Sequence, residues 1–437
     1  MRDTVPANPH ARRPRIRGLL PALLALVLAA CSGPILANPP AARPSVAPPT
    51  AVPAAPADPR PVVLPRDDGP HDRLTEWWYY TGHLAAADGR TFGFEYVIFR
   101  AERGGFPVSW ASHLAVTDES ANRFAYGQRS EIGTRVDHSP RDANGKPSGF
   151  ALRVVGMDPA HSATDANAAT DANAATDANP ATDANAATDA NAATDANAAW
   201  TMAGSGGRDT LSAALGPAEA AATAMPMGLG LQLALTPLEP PVLHGRDGWV
   251  DFGAAGGSYY YSRTRMTAAG TLVVDGERVA VTGTAWFDHQ WGDFIAVGGG
   301  GWDWFAVNLD DGTDLTVSLV RSVDGTYPLV YGTLVRPDGT SRYVARGEIS
   351  VDAVDQWTSP RTGATYPSGW RVRVSGAALD VMVVPTLRDQ ELDTRATTGV
   401  VYWEGSQRVT GTREGRPVTG KAYVELTGYA GGVTATP

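Results

Sequence analysis

Apolar and polar positions alternate along most of this chain with the period of two that marks strands half-buried on a sheet. Clear runs are Thr91 to Phe99 (TFGFEYVIF), Thr271 to Val274 ahead of the Asp275-Gly276 turn, and Trp370 to Val374 (WRVRV). Asp-Gly pairs and other glycine-rich turns punctuate these runs, and no long helical pattern interrupts them. The pattern predicts an all-β protein.

The densest stretch runs from Ala285 to Leu309, AWFDHQWGDFIAVGGGGWDWFAVNL. It reads as two strands joined by a hairpin tip with four consecutive glycines, Gly298 to Gly301. In the first, Phe287, His289 and Trp291 share one face, and Trp286, Asp288 and Gln290 the other. In the second, Trp302, Trp304 and Ala306 oppose Asp303, Phe305, Val307 and Leu309. An aspartate heading an apolar face is costly unless paired or protonated, so Asp303 is expected to be a buried acceptor or a carboxylic acid with a raised pKa.

The pattern also echoes itself. Glu76 to Leu84 (EWWYYTGHL), followed by Asp88-Gly89, matches Trp302 to Leu309, followed by Asp311-Gly312. Trp77 aligns with Trp302, Tyr79 with Trp304, Tyr80 with Phe305 and Leu84 with Leu309. This repeat predicts two related β-domains, and two antiparallel domains of this size suit small up-and-down barrels able to hold an apolar ligand. The prolines Pro237, Pro240 and Pro241 suggest the seam, giving domains at 62–240 and 241–437.

The ends and one insert depart from the pattern. Arg12, Arg13, Arg15 and Arg17 precede an apolar run from Leu19 to Ala30, too short for a stable transmembrane span, which reads as a signal peptide over residues 1–31. It closes on Leu28-Ala29-Ala30-Cys31, the pattern of a bacterial lipoprotein whose cysteine carries the lipid. Residues 32–61 are rich in Pro and Ala and read as a tether. These features predict a lipid-anchored protein of the cell envelope with a membrane partner. From Thr164 to Ala199 the hexapeptide TDANAA recurs, Pro180 being its only variation, with no side chain able to supply a core. A surface insert in the first domain is expected there.

Composition then narrows the function. A formal net charge of −10 and the lack of a basic cluster in the region after Cys31 argue against a nucleic-acid partner, and a single cysteine excludes an internal disulfide framework. Eight scattered histidines show no HxH or HxxxH spacing, so no metal or other cofactor is expected. No Gly-x-Ser-x-Gly elbow stands out, and no Lys-Ser/Thr follows the glycine run. Twelve tryptophans are many for this length. Those at Trp78, Trp291, Trp302 and Trp304, with Tyr80 and Tyr260, are the candidate walls of a hydrophobic small-molecule site.

Five stretches together resemble the AttH/CrtC family: EWWYYTGHL, PPVLHG at Pro240 to Gly245, SYYYSRTRM at Ser258 to Met266, GTAWFDHQW at Gly283 to Trp291, and GWDWFAVNLDDGT at Gly301 to Thr313. The resemblance implies two tandem lipocalin-like β-barrels and, in the family's carotenoid 1,2-hydratases, cofactor-free addition of water to a terminal isoprenoid double bond. The His-x-Trp element of those enzymes matches His289 and Trp291. Their Tyr-x-Asp pattern is absent, since Leu315 to Val320 reads LTVSLV, which leaves Asp288 and Asp303 as substitutes for the proton donor. Alkene hydration needs an acid, a stabilised cation and a placed water. The expected roles fall to Asp303 or Asp288, to the indoles of Trp291, Trp302 and Trp304, and to His289. The competing expectation is a non-catalytic carrier of a lipid or other hydrophobic ligand.

Overall fold

The computed structural model describes residues 58–156, 199–221, 223–294 and 299–430. The signal region, Cys31, the tether as far as residue 57 and the repeat insert up to residue 198 lie outside them. Two nearly closed antiparallel sheets hold almost all of the regular structure among the described residues, where the longest helix is the single turn Pro217–Ala221.

The first sheet starts with a meander of β1 (Thr75–Ala86), β2 (Thr91–Ala101), β3 (Ser109–Asp118) and β4 (Arg123–Ile132). It continues with β5 (Phe150–Val154), β6 (Trp200–Ser205), β7 (Arg208–Ala214) and β8 (Leu229–Pro237). After the short pieces β9 (Val242–Leu243) and β10 (Trp249–Asp251), the long hairpin β11 (Gly257–Val274) and β12 (Glu277–Gly292) completes it. The order is β4-β3-β2-β1-β12-β11-β8-β7-β6-β5, so β12 slots between β1 and β11. The edges meet through the Val155 N–H donating to Glu131 (2.9 Å) and a bridge between Asp137 and Leu152.

The second sheet is laid out alike. It comprises β13 (Gly299–Leu309), β14 (Asp314–Ser322), β15 (Leu329–Val335), β16 (Ser341–Ala345) and β17 (Ile349–Ala353). After the separate hairpin β18 (Gln356–Thr358) and β19 (Thr365–Pro367) come β20 (Trp370–Val374), β21 (Leu379–Pro385), β22 (Glu391–Asp393), β23 (Val401–Arg413) and β24 (Arg416–Thr427). The first strand of the barrel again pairs with a late one, β13 with β24 as β1 with β12. The echo between EWWYYTGHL and GWDWFAVNL is thus an echo of position in two barrels.

The seam expected at Pro237–Pro241 is not where the sheets part. Those prolines end β8, but β11 and β12 return to the first barrel, and the second sheet begins only at Gly299. Proline marks where a ladder loses a donor, which is the end of a strand and not of a domain.

Each barrel has its own core. Trp78, Tyr80, Trp110, Trp200, Tyr261, Phe287 and Trp291 help fill the first, and Phe305, Val307, Trp370 and Trp403 the second. A third cluster lies between them, made of Tyr79, Val97 and Trp286 from the first barrel and Trp304, Ala306 and Tyr423 from the second. Apolar burial of this kind yields roughly 25 cal/mol per Å², which makes the aromatic seam a real joint. Residues 58–74 close one end of the first barrel. Asp58 pairs with Arg73 (2.8 Å) and accepts from the Tyr259 hydroxyl (2.7 Å), so the last residues assigned to the tether are part of the fold. Asp68 is fully buried there and pairs with Arg263 (2.7 Å).

Candidate functional site

Alternation on β1, β12 and β13 sorts the expected site residues into three places. His289, Trp291, Trp78 and Tyr80 enter the first barrel. Asp288, Tyr260 and Trp304 meet at the seam, with Trp302 half-buried beside them. Asp303 turns into the second barrel, on the opposite side of its own strand from Trp302 and Trp304.

That placement corrects the role expected of Asp303. Its carboxylate accepts from Arg321 (2.8 Å) and from the Tyr429 hydroxyl (3.0 Å to each oxygen). Burial raises its pKa on balance, against the pull of the Arg321 guanidinium. It is a buried, paired acceptor whose pKa is also raised, and a layer of backbone separates it from the indoles it was expected to serve. Asp288 is at the indoles, but both of its oxygens are already engaged. Tyr260 and Trp286 donate to it at 2.6 Å each, and Ser262 donates as well. Burial raises its pKa to about 6. Tyr260 in turn accepts from Trp304 (3.1 Å), and Ser262 contacts His244 (2.6 Å), which reaches Thr333 of the second barrel (2.8 Å). Asp288 therefore anchors a cross-tie between barrels.

Three further acids at the seam were missed by sequence reasoning. Glu95 on β2 and Glu404 on β23 are fully buried at the seam, and Glu425 on β24 is half-buried beside them. Trp304, Glu425 and Glu404 sit side by side across β13, β24 and β23. Tyr79 donates to Glu404 (2.8 Å), Tyr402 to Glu95 (3.1 Å) and Trp302 to Glu425 (2.8 Å). None of the three forms an ion pair among the described residues, and the second oxygens of Glu95 and Glu404 have no hydrogen-bond partner there. Burial drives all three pKa values up, to about 7 for Glu425 and well above the carboxylate range for Glu95 and Glu404. For Glu404 the neighbouring Glu425 and Glu95 carboxylates add to the effect. His113, pushed down to about 3 by burial, stands behind Tyr402 (2.8 Å) as a neutral ring. Around these acids the Tyr79 and Trp304 rings meet edge to face (5.4 Å), as do Trp286 and Trp304 (6.1 Å). A cavity of about 230 Å³ opens between the barrels, lined by His83, Thr282 and Thr284 on one side and Asn308, Asp310 and Lys421 on the other. His83 lies 5.6 Å from the Tyr423 ring of the seam cluster.

The first barrel holds a second polar centre. Glu76, fully buried, accepts from the His71 backbone N–H (2.9 Å) on one oxygen. Its other oxygen meets both His71 Nδ1 (2.7 Å) and His289 Nε2 (2.9 Å). Burial alone would raise the Glu76 pKa, but His71 and His289 hold it at about 2. Burial lowers His289, whereas for His71 the Glu76 and Asp67 carboxylates outweigh burial and raise it. His71 stacks flat on Trp291 (4.1 Å, 1°), and His289 stacks on Trp78 (4.7 Å). The donor atoms of His71, Glu76 and His289 lie within 4.8 Å of one another, a grouping that histidine spacing along the chain does not reveal. Tyr80 sits deeper, donating to Asp209 (2.8 Å), whose pKa burial raises to about 6.

Two lipocalin-like barrels joined through an aromatic, acid-rich seam define the class of protein. The chain belongs to the AttH-like family, whose pattern matches residues 55–139 and 134–429. Among solved structures it is similar to an AttH from Nitrosomonas europaea, at 28% identity and a TM-score of 0.64 over 87% of this chain and 100% of that one. It shares its fold with kievitone hydratase from Nectria haematococca, at 14% identity and a TM-score of 0.54 over 84% of this chain and 93% of that one. No curated protein matches it in sequence.

Proposed function

We propose that this protein adds water to a carbon–carbon double bond of an apolar small molecule, or removes it, at the seam between the barrels, with Glu404 as proton donor. The observation that carries the reading is the pair Glu95 and Glu404, fully buried beside an aromatic wall with the half-buried Glu425 next to them and, among the described residues, no cation paired to any of the three. Buried carboxyls of this kind keep their protons near neutral pH and can transfer them. Glu404 is chosen over Glu95, whose second oxygen is equally unspent, because its hydrogen-bond partner Tyr79 belongs to the aromatic wall itself.

In the forward direction the Glu404 O–H bond breaks as its proton forms a C–H bond at one alkene carbon. The π electrons leave the other carbon cationic. Indole and phenol faces attract such a cation by about 2 kcal/mol each when desolvated, and Trp304, Trp286 and Tyr79 supply them here. Water then bonds to the cation through oxygen and returns a proton to the Glu404 carboxylate, so the acid is restored and one water has been added. The cavity beside His83 is the proposed entry. The family resemblance points to an acyclic isoprenoid as substrate, and a hydratase among the proteins of like fold agrees with the reaction class. We also propose that Cys31 carries a lipid that holds the protein at a membrane of the cell envelope, close to such substrates.

The test is incubation with lycopene in ¹⁸O-water, followed by mass spectrometry. Label enters the product of the wild type, and Glu404→Gln loses turnover by roughly 10²–10⁴-fold or more while still binding the polyene. Equal turnover by Glu404→Gln would sink the assignment. A protein that binds lycopene without ever hydrating it, and releases it on Trp304→Ala, is a carrier.

A further inference from the structure

The first-barrel centre has no task in that reaction, and its geometry points elsewhere. We propose that His71, Glu76 and His289 form a site for a divalent transition-metal ion of the zinc type, with a further position left to water or an oxygen-donor ligand. Two imidazole nitrogens and one carboxylate oxygen are the donor set of many three-ligand zinc sites. Here the three atoms come from three separate parts of the chain: the closing segment 58–74, the head of β1 and the tail of β12.

Each donor is aimed before any ion arrives. The His71 N–H holds one Glu76 oxygen (2.9 Å) and so turns the other toward both rings. The rings are held in place, because His71 lies flat on Trp291 and His289 stacks on Trp78 (4.7 Å) and meets Trp291 at a tilt (4.7 Å, 42°). All three donor atoms fall within 4.8 Å of one another, so small shifts bring them round one ion. Behind His71, the Asp67 carboxylate lies 3.5 Å from Nε2, the carboxylate–histidine arrangement that orients metal ligands. Asp67 is itself fixed by the Val63 N–H (2.7 Å) and by Arg66. Charge agrees as well: the Glu76 and Asp67 carboxylates balance a dication in a place where Glu76 and His289 are fully buried. Without an ion, Glu76 can accept from both rings only if each carries a proton on the nitrogen facing it. A metal replaces those protons.

The experiment uses the full chain, freed of metal by chelation and titrated with Co²⁺ and with Zn²⁺. Binding of one equivalent is expected, with the intense visible bands of low-coordinate cobalt, displacement of cobalt by zinc, and release of protons into the buffer. Glu76→Gln abolishes the bands, and Asp67→Asn, which leaves all three ligands in place, weakens affinity roughly 10–100-fold. If Glu76→Gln fails to fold, the cobalt spectrum and the Asp67→Asn titration decide alone. Absence of stoichiometric cobalt binding by the folded wild type overturns the proposal. So does binding that Asp67→Asn and Glu76→Gln leave unchanged, which would place the ion elsewhere. Neither result bears on Glu404 at the seam.

Discussion

Replacing Glu425 by glutamine should stabilise the protein at alkaline pH and leave it little changed in acid. The amide keeps an oxygen for the Trp302 N–H, which donates to Glu425 at 2.8 Å, and it removes the only titration at that position. Burial raises this carboxyl from the ordinary 4.5 to about 7, so the folded protein holds the proton more tightly than the unfolded chain does. The stability linked to that proton is fully present below pH 4.5 and is lost as the pH rises through 7. At about 1.4 kcal/mol for each pH unit between those values, the loss comes to roughly 3 kcal/mol. Urea denaturation followed by tryptophan fluorescence, from pH 4.5 to pH 8.5, gives the difference in unfolding free energy between wild type and Glu425→Gln at each pH. That difference should move by roughly 3 kcal/mol in favour of the variant, most of it between pH 5 and 7. Two curves that stay parallel across this range would show that Glu425 titrates normally. The seam would then be wet, and the case for neutral acids there would fall with it.

Three further outcomes follow. Asp303→Asn leaves Arg321 without its carboxylate inside the second barrel and should cost roughly 3–5 kcal/mol in denaturation experiments, with no specific loss of hydration by the protein that remains folded; a variant of wild-type stability that has lost turnover would return Asp303 to the role of acid. Deleting Thr164 to Ala199, a segment with no side chain large enough to serve a core, should leave the melting midpoint within about a few degrees of wild type. Cys31→Ala should abolish incorporation of labelled fatty acid, and labelling that persists would refute the anchor.

Much of this was legible in the sequence because strands advertise their faces. The period of two placed Phe305, Val307 and Leu309 against Trp302 and Trp304 correctly, and the aromatic echo between the halves marked equivalent strands of two barrels. What alternation cannot say is what covers the outer face. Glu95 in TFGFEYVIF reads as an ordinary solvent-facing glutamate, and it becomes a buried acid only because the second barrel docks upon it. Glu404 and Glu425 were hidden in the same way. Asp303 was rightly read as buried, yet its partner Arg321 sits on the next strand and Tyr429 beyond the last one, so pairing could not be separated from protonation. The His71–Glu76–His289 grouping depends on a segment folding back over a barrel end, which no periodicity records. The misplaced seam came from treating prolines as boundaries when the strands beyond them belonged to the earlier sheet.

β12 separates two enclosures with a single thickness of backbone. Phe287, His289 and Trp291 look into one, and Trp286, Asp288 and Gln290 into the other. Inserting or removing one residue ahead of this segment would not merely disturb a strand. It would hand the aspartate to the room built for the imidazole and the imidazole to the room built for the aspartate, spoiling both at once. The two centres are thus locked to a common frame. Either can drift by substitution, but neither can change its length alone, and a lineage that kept only one of them would still be obliged to keep the spacing of the other.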